Sequence, residues 1–244
     1  MRLDLPASTH QDIVKAIQNQ GFCLVNANML SQVTQVAMKD LRAFNAYWDS
    51  LARDQFLKDL GKYRLRRHSS YVIEKNQVRL FPHRAHWQSV DYNALHGGLL
   101  RMFEPIDASL NDSAAWMQLI AGVAGIFNGI SAKETWFTEA HQFRINTLGG
   151  IGRPTPEGAH RDGVDYVAVI LVARHHIKGG ETRIFKMDSN EGLRFTLSEP
   201  WSMLLIDDHR IIHETTPIQD DGGDGHRDTL VLTFRSNGFQ EPSL

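Results

Sequence analysis

One cysteine, Cys23, occurs in 244 residues, which excludes an internal disulfide framework and fits a reducing compartment. It lies in the apolar piece GFCLV, where a buried small hydrophobe is its expected role. Net charge is equally scarce. Twenty-six Lys and Arg against 28 Asp and Glu leave a formal −2, so nothing electrostatic points to nucleic acid or an anionic membrane as main partner. The start, MRLDLPASTH, carries an early acid and a proline but no apolar h-region, and no secretory signal is expected. No apolar run is read as approaching the ~18 residues of a membrane helix. The expectation is a cytoplasmic protein. Repeats, low-complexity tracts and long linkers are missing too, and the length suits one domain over 1–244.

The chain does contain two textures. Residues 1–61 read as a mainly helical extension. Ser8 or Thr9 can cap a first helix with Ile13, Val14 and Ile17 on one face, Gly21 breaks it, and GFCLVN follows as a strand. From Ser31, apolar residues from Val33 to Leu51 recur at spacings of three and four, predicting one long amphipathic helix towards Gly61. Residues 62–244 read as a β core with one inserted helix, Ser113 to Phe127. SSYVIEK and QVRLFPH flank a turn at Lys75-Asn76. From Thr135 onward, short strands alternate with Gly/Pro/Asp turns, and helices able to support a parallel sheet are missing. The fold class predicted is mainly β with flanking helices, a jelly roll or barrel with a helical N-terminal portion.

Chemistry gathers around GAHRDGVDYVAVILVARHH. The run Tyr166 to Ala173 reads as a strand buried on both faces, and His160 and Asp162 stand just before it. Alternate residues of an extended strand point the same way, so H-x-D can present two ligands together. His213, in RIIHETTP, lies 51 positions after Asp162 on another predicted strand. Two histidines and a carboxylate can hold one face of an octahedral iron(II), leaving three positions open. His209 and His213 stand at i, i+4, a helical zinc spacing, but the β-branched, proline-ended segment argues against a helix and puts His209 in the turn DDHR. His175 and His176 read as surface residues closing the buried strand. HRDTLVLTFR sets Arg227, Thr229, Val231 and Thr233 on one strand face. An inward arginine beside a hydroxyl is a fork for a carboxylate, although Arg227 beside Asp224 or Asp228 could equally begin the strand in water.

H-x-D, the distal histidine and R-x-T together resemble the iron(II)/2-oxoglutarate-dependent dioxygenases. More narrowly, YRLRRHSSY, QSVDYNALHGGLLRMF, HQFRI, IKGGETRIF and HRDTLVLTF resemble the small bacterial family of L-isoleucine dioxygenase and biofilm-stress-associated homologues. The resemblance implies a double-stranded β-helix. It also implies iron(II) on His160, Asp162 and His213, which are then the catalytic residues, and 2-oxoglutarate on Arg227 and Thr229. Dioxygen would be consumed, succinate and carbon dioxide released, and a free aliphatic L-amino acid hydroxylated or sulfoxidised. Arg227 follows His213 by 14 positions, longer than the usual family interval, which keeps Arg235 as the alternative. For the substrate, Arg144 and Gln142 share a strand face and are the first candidates; Arg64, Arg66 and Arg67 are the others. A cupin-like metalloenzyme and a non-catalytic stress-response protein are the competing readings, with oxidation of a macromolecule a third.

Overall fold

The computed structural model describes residues 7–57 and 62–242. Thr9 caps the first helix, α1 (His10–Gln20), by accepting the Asp12 N–H on its hydroxyl, and Gly21, at φ 85°, ends it. Strand β1 (Phe22–Val25) follows.

The long helix predicted from Ser31 is broken into pieces: α2 (Ala27–Thr34), α3 (Met38–Ala43) and a 3₁₀ turn over Phe44–Trp48. Gln35 enters the left-handed region at φ 57°, and the Ser31 hydroxyl donates to the Val36 carbonyl at 2.6 Å, so the chain turns there. At the far end Trp48 is drawn inward, its indole N–H shared by the carbonyls of Phe143 and Thr229 at 3.1 and 3.3 Å. The apolar periodicity marks the right buried residues, but it does not show where the backbone folds back on itself. Part of that predicted helix, 58–61, lies outside the described residues.

Helix α4 (Ala108–Asn111) precedes α5 (Ala114–Ser131), the predicted inserted helix; Ser113, read as its first residue, is its cap, and it runs four residues beyond Phe127. By length and apolarity alone α5 could cross a bilayer, contrary to the expectation that no run comes close. Its buried side chains, Trp116, Leu119, Ile120, Val123, Ala124, Ile126 and Phe127, belong to the main hydrophobic core.

The strands are β2 (Arg64–Glu74), β3 (Gln77–Leu80), β4 (Thr135–Asn146), β5 (Ile151–Gly152), β6 (Tyr166–His175), β7 (Ile177–Gly179), β8 (Thr182–Lys186), β9 (Gly192–Phe195), β10 (Met203–Asp207), β11 (Ile211–Thr215), β12 (Ile218–Asp220) and β13 (His226–Arg235). They form a seven-stranded sheet, β1-β10-β6-β13-β4-β2-β3, and two three-stranded sheets, β11-β8-β9 and β5-β12-β7, all antiparallel. This is the mainly β architecture of a double-stranded β-helix. Lys75 and Asn76, both at positive φ, make the predicted β2–β3 turn.

The large sheet is covered on both faces. From β6 and β13, Ala168, Ile170, Leu230, Leu232 and Phe234 join the helices in the main core. Val167, Leu171 and Ile184 belong to a second core between the large sheet and β8 and β11, with Val169 and Val231 packed against it. Between these sheets a cavity opens, and β13 presents Arg227, Thr229, Val231 and Thr233 to it.

Helix α5 packs against α2 at a glycine. A methyl group at Gly122 would lie 2.5 Å from Thr34 Cα, whereas one at Gly125 would meet nothing within 4 Å. Gly122→Ala should therefore destabilise the fold by about 1–3 kcal/mol, through overpacking against backbone. Gly125→Ala should be neutral or stabilise by up to about 1 kcal/mol, through helix propensity. Urea denaturation of both variants measures this difference, and equal midpoints would contradict it.

Candidate metal centre and active-site cavity

His160, in the loop before β6, pairs with His213 on β11. Each accepts the other's backbone N–H, at 3.0 and 2.9 Å, and the ring centroids are 4.7 Å apart. Asp162 completes the group, with Oδ1 3.9 Å from His160 Nε2 and Oδ2 3.7 Å from His213 Nε2. One ligand atom from each residue lies within 4.8 Å of the others. Three side chains far apart in sequence thus converge on one point, with the donor set that suits iron(II).

Burial and mutual charge set the protonation of the three groups. His160 Nδ1 is 2.9 Å from the Gly158 carbonyl; a carbonyl only accepts, so Nδ1 carries a hydrogen, and in the neutral ring Nε2 is the atom with the lone pair. His213 is held well below the ordinary imidazole range by burial and then by the His160 charge. Burial raises Asp162. Burial pulls His160 down, yet the Asp162 and Glu157 carboxylates prevail and raise it. A desolvated carboxylate whose only ion-pair contacts among the described residues are two histidines is stabilised by a bound cation.

Asp162 does not sit on a strand, contrary to the reading of H-x-D as extended. Only His160 makes a bridge, and β6 starts at Tyr166. The buried Asp208 carboxylate takes the place of a ladder, accepting the N–H groups of Asp162, Gly163 and Val164 at 3.0, 2.8 and 3.1 Å. Gln240 donates to the carbonyls of Asp162 and Gly163 at 2.7 and 2.8 Å. Gln88 donates to Asp162 Oδ1 at 3.2 Å. Burial and the neighbouring Asp162 push Asp208 up to about 6.

Arg227 is 3% exposed and lines the same cavity as the triad. Its Nε and one terminal nitrogen are buried without a hydrogen-bond partner, and burial, then Arg174, lowers it to about 10. A buried guanidinium without an acceptor is costly, and Thr229, two residues along, faces the cavity with it. The pair fits a ligand carboxylate. The alternative, Arg235, donates to the Gly238 carbonyl at 3.2 Å and is not part of the cavity wall.

The first candidates for substrate contact are misplaced. Gln142 and Arg144 do share a face of β4, but it is the face turned from the cavity. Arg144 is gripped by Asp228 at 2.8 and 2.7 Å and by Asp49 at 3.0 Å, and Gln142 is fully buried. The residues that alternate with them on β4, Glu139, His141, Phe143 and Ile145, are the ones lining the cavity. Of the arginine run, Arg64 and Arg66 line it, while Arg67 turns to the carbonyls of Ser50 and Pro105. Sequence reading did not single out His86, Gln88, Arg101, Asp208 or Gln240. The alternation EAHQF was a usable signal for Glu139 and His141; for the loop residues there was none.

A second cluster, His68, His86, Glu139 and His141, is also close enough to hold a metal. It is already neutralised from within. Glu139 accepts from His68, His86 and Arg84 at 3.2, 3.0 and 3.0 Å, and Arg66 donates to His141 Nδ1 at 2.8 Å. Two guanidiniums occupying these lone pairs leave little place for another cation.

Burial lowers all three of these histidines, His86 to about 4, whereas an unfolded chain protonates them near 6.5. The unfolded state then binds more protons between those values. Stability is full above about 6.5 and falls as pH drops towards 4. For His86 alone, a fall from 6.5 to about 4 corresponds to roughly 3 kcal/mol. Urea midpoints from pH 7 to 5 should fall in the wild type and fall less in His86→Gln; parallel curves would contradict this.

Residues 45–233 match the family model for 2OG-Fe dioxygenases. The crystal structure of a bsmA homolog from Methylobium petroleophilum PM1 is 44% identical, with 99% of this chain and 98% of that one covered and a TM-score of 0.93. The IDO of Bacillus thuringiensis, 16% identical over 97% and 100% of the two chains, superposes with a TM-score of 0.75. The Fe(II)/(alpha)ketoglutarate-dependent dioxygenase TqaL, 17% identical over 94% and 90%, gives 0.67; at such identities the last two speak for the fold. No curated protein matches the chain. With a matched segment that spans most of its length and holds His160, Asp162, His213 and Arg227, the chain belongs to the 2OG-Fe dioxygenase family.

Proposed function

We propose that this dioxygenase hydroxylates or sulfoxidises a small molecule, a free aliphatic L-amino acid such as isoleucine, leucine or methionine, with His160, Asp162 and His213 as its iron ligands. The distal carboxylate of 2-oxoglutarate is assigned to Arg227, with Thr229 beside it. One observation carries the reading: a buried guanidinium with unpartnered N–H groups shares a cavity with a His/Asp/His cluster. A cupin-like metalloenzyme or a non-catalytic barrel gives Arg227 no ligand.

Iron and 2-oxoglutarate together let dioxygen deliver one oxygen atom to the substrate and one to succinate, with loss of carbon dioxide. The protein's own part is placement. The His160–His213 bridge fixes the spacing of two ligands, and Asp208, Gln88 and Gln240 fix the third. Val164, Val169 and Val231 line the cavity and offer an apolar surface to an aliphatic side chain.

Incubation with iron(II), ascorbate, 2-oxoglutarate and each of the twenty amino acids should release succinate, and mass spectrometry should find the gain of one oxygen in at least one of them. His160→Ala and Asp162→Ala should abolish metal binding and turnover. Arg227→Ala loses a charge-assisted contact of about 1.5–3 kcal/mol, which raises the 2-oxoglutarate requirement roughly ten- to a hundredfold. Metal affinity should stay unchanged. Absence of succinate with every amino acid, or an unaltered co-substrate requirement in Arg227→Ala, would contradict the assignment.

A further inference from the structure

The cavity holds more positive charge than iron chemistry and 2-oxoglutarate employ. Arg64, Arg66, Arg101 and Arg227 line it. Arg64 is matched by Asp54, Nε to Oδ2 at 2.7 Å, and Arg227 is assigned to the co-substrate. Arg66 and Arg101 are 5% and 2% exposed, and neither has a carboxylate at ion-pair distance among the described residues. Of the carboxylates nearby, Glu139 is saturated by Arg84, His68 and His86, Asp54 is taken by Arg64, and Glu157 lies 3.6 Å from His160 Nε2.

Both guanidiniums are nonetheless held in place. Arg66 lies 3.8 Å above the Phe103 ring and 4.6 Å from that of Phe143, and one terminal nitrogen donates to His141 Nδ1 at 2.8 Å. Arg101 sits 5.8 Å from the same Phe103 ring and donates to Gln88 Oε1 at 3.1 Å. The Nε of each is buried without a partner. Aromatic faces and neutral acceptors orient these cations but do not neutralise them, and their solvation by water is gone. A bound anion is what such an arrangement lacks. His141 adds to it: since a guanidinium only donates, Nδ1 accepts, and the proton is on Nε2, which makes that nitrogen another donor.

Gln88 sets the distance. Its Oε1 accepts from Arg101 while its Nε2 donates to Asp162 Oδ1 at 3.2 Å, so a single side chain separates Arg101 from the ligand group. An anion held there belongs to a small molecule whose oxidised atom lies only a few bonds away.

We propose that Arg66 and Arg101 clamp the carboxylate of the substrate and set the enzyme's preference for small acids over their neutral analogues. This rests on the dioxygenase reading and deepens it. It also sorts the arginines, since Arg67 and Arg144 are held by backbone carbonyls and by Asp228 on other faces.

The test is calorimetry under argon on the whole protein loaded with manganese(II) and 2-oxoglutarate. It is titrated with the twenty L-amino acids and, for each acid that binds, its carboxamide. At least one acid should bind, with its amide weaker by a hundredfold or more. Arg66→Gln and Arg101→Gln should each weaken the acid at least tenfold and leave the affinity for 2-oxoglutarate unchanged, while Arg67→Gln changes neither. Equal binding of acid and amide, or binding of no acid by wild-type protein that still takes up 2-oxoglutarate, overturns the clamp and leaves the dioxygenase reading in place. Failure to take up 2-oxoglutarate sinks both. The acid–amide comparison uses wild-type protein, so it decides even if a variant does not fold.

Discussion

Two backbone hydrogen bonds, exchanged between His160 and His213, are the constraint on which the site depends. They bring a loop preceding a strand of the large sheet against β11 of a small one, and so fix two imidazoles before any ion arrives. Everything else at the centre adjusts to that pair. Asp162 cannot share a ladder with it, so a buried carboxylate, Asp208, gathers three consecutive N–H groups and holds the loop in shape. A site preorganised through backbone spends little conformational entropy on binding.

The same sheet then divides labour between its faces. Along β13, Leu230, Leu232 and Phe234 pack under the helices, while Arg227, Thr229, Val231 and Thr233 line the cavity. The helical layer is therefore functional at one remove. It buries one face and leaves the other free to carry polar groups. Trp48 ties the layers directly, since its indole N–H bridges the carbonyls of Phe143 and Thr229, one on each of two adjacent cavity strands. The inward charge that results is unusual for a protein interior, and much of it is neutralised locally: Arg64 by Asp54, Glu139 by Arg84. What is left in the cavity without a carboxylate partner among the described residues is Arg66, Arg101 and Arg227, the groups proposed above to meet ligands.

The sequence discloses the strands of this fold well, because a period of two over β-branched residues has few other readings. It discloses Arg227 and Thr229 for the same reason. On β4 the periodicity is equally clear, yet nothing in it states which face turns inward, and choosing the set with Gln142 and Arg144 over the set with His141 and Phe143 is an offset of one residue that sends every side chain to the wrong side. Arg144 looks like a ligand for an anion in sequence; its partners Asp228 and Asp49 come from strand pairing and from a helical turn, neither of which is local. The helix predicted across 31–61 fails at Gln35, where a left-handed residue without glycine gives no warning. Asp208 was invisible too, since a carboxylate that caps a loop 46 residues earlier in the chain has no local signature.

The most direct measurement is a crystal structure of the protein soaked with manganese(II) and 2-oxoglutarate. Anomalous density should lie between His160, Asp162 and His213, and the distal carboxylate of the diacid should meet Arg227. Density for the metal among His68, His86, Glu139 and His141 instead, or a diacid whose far end lies away from Arg227, would contradict the central claim.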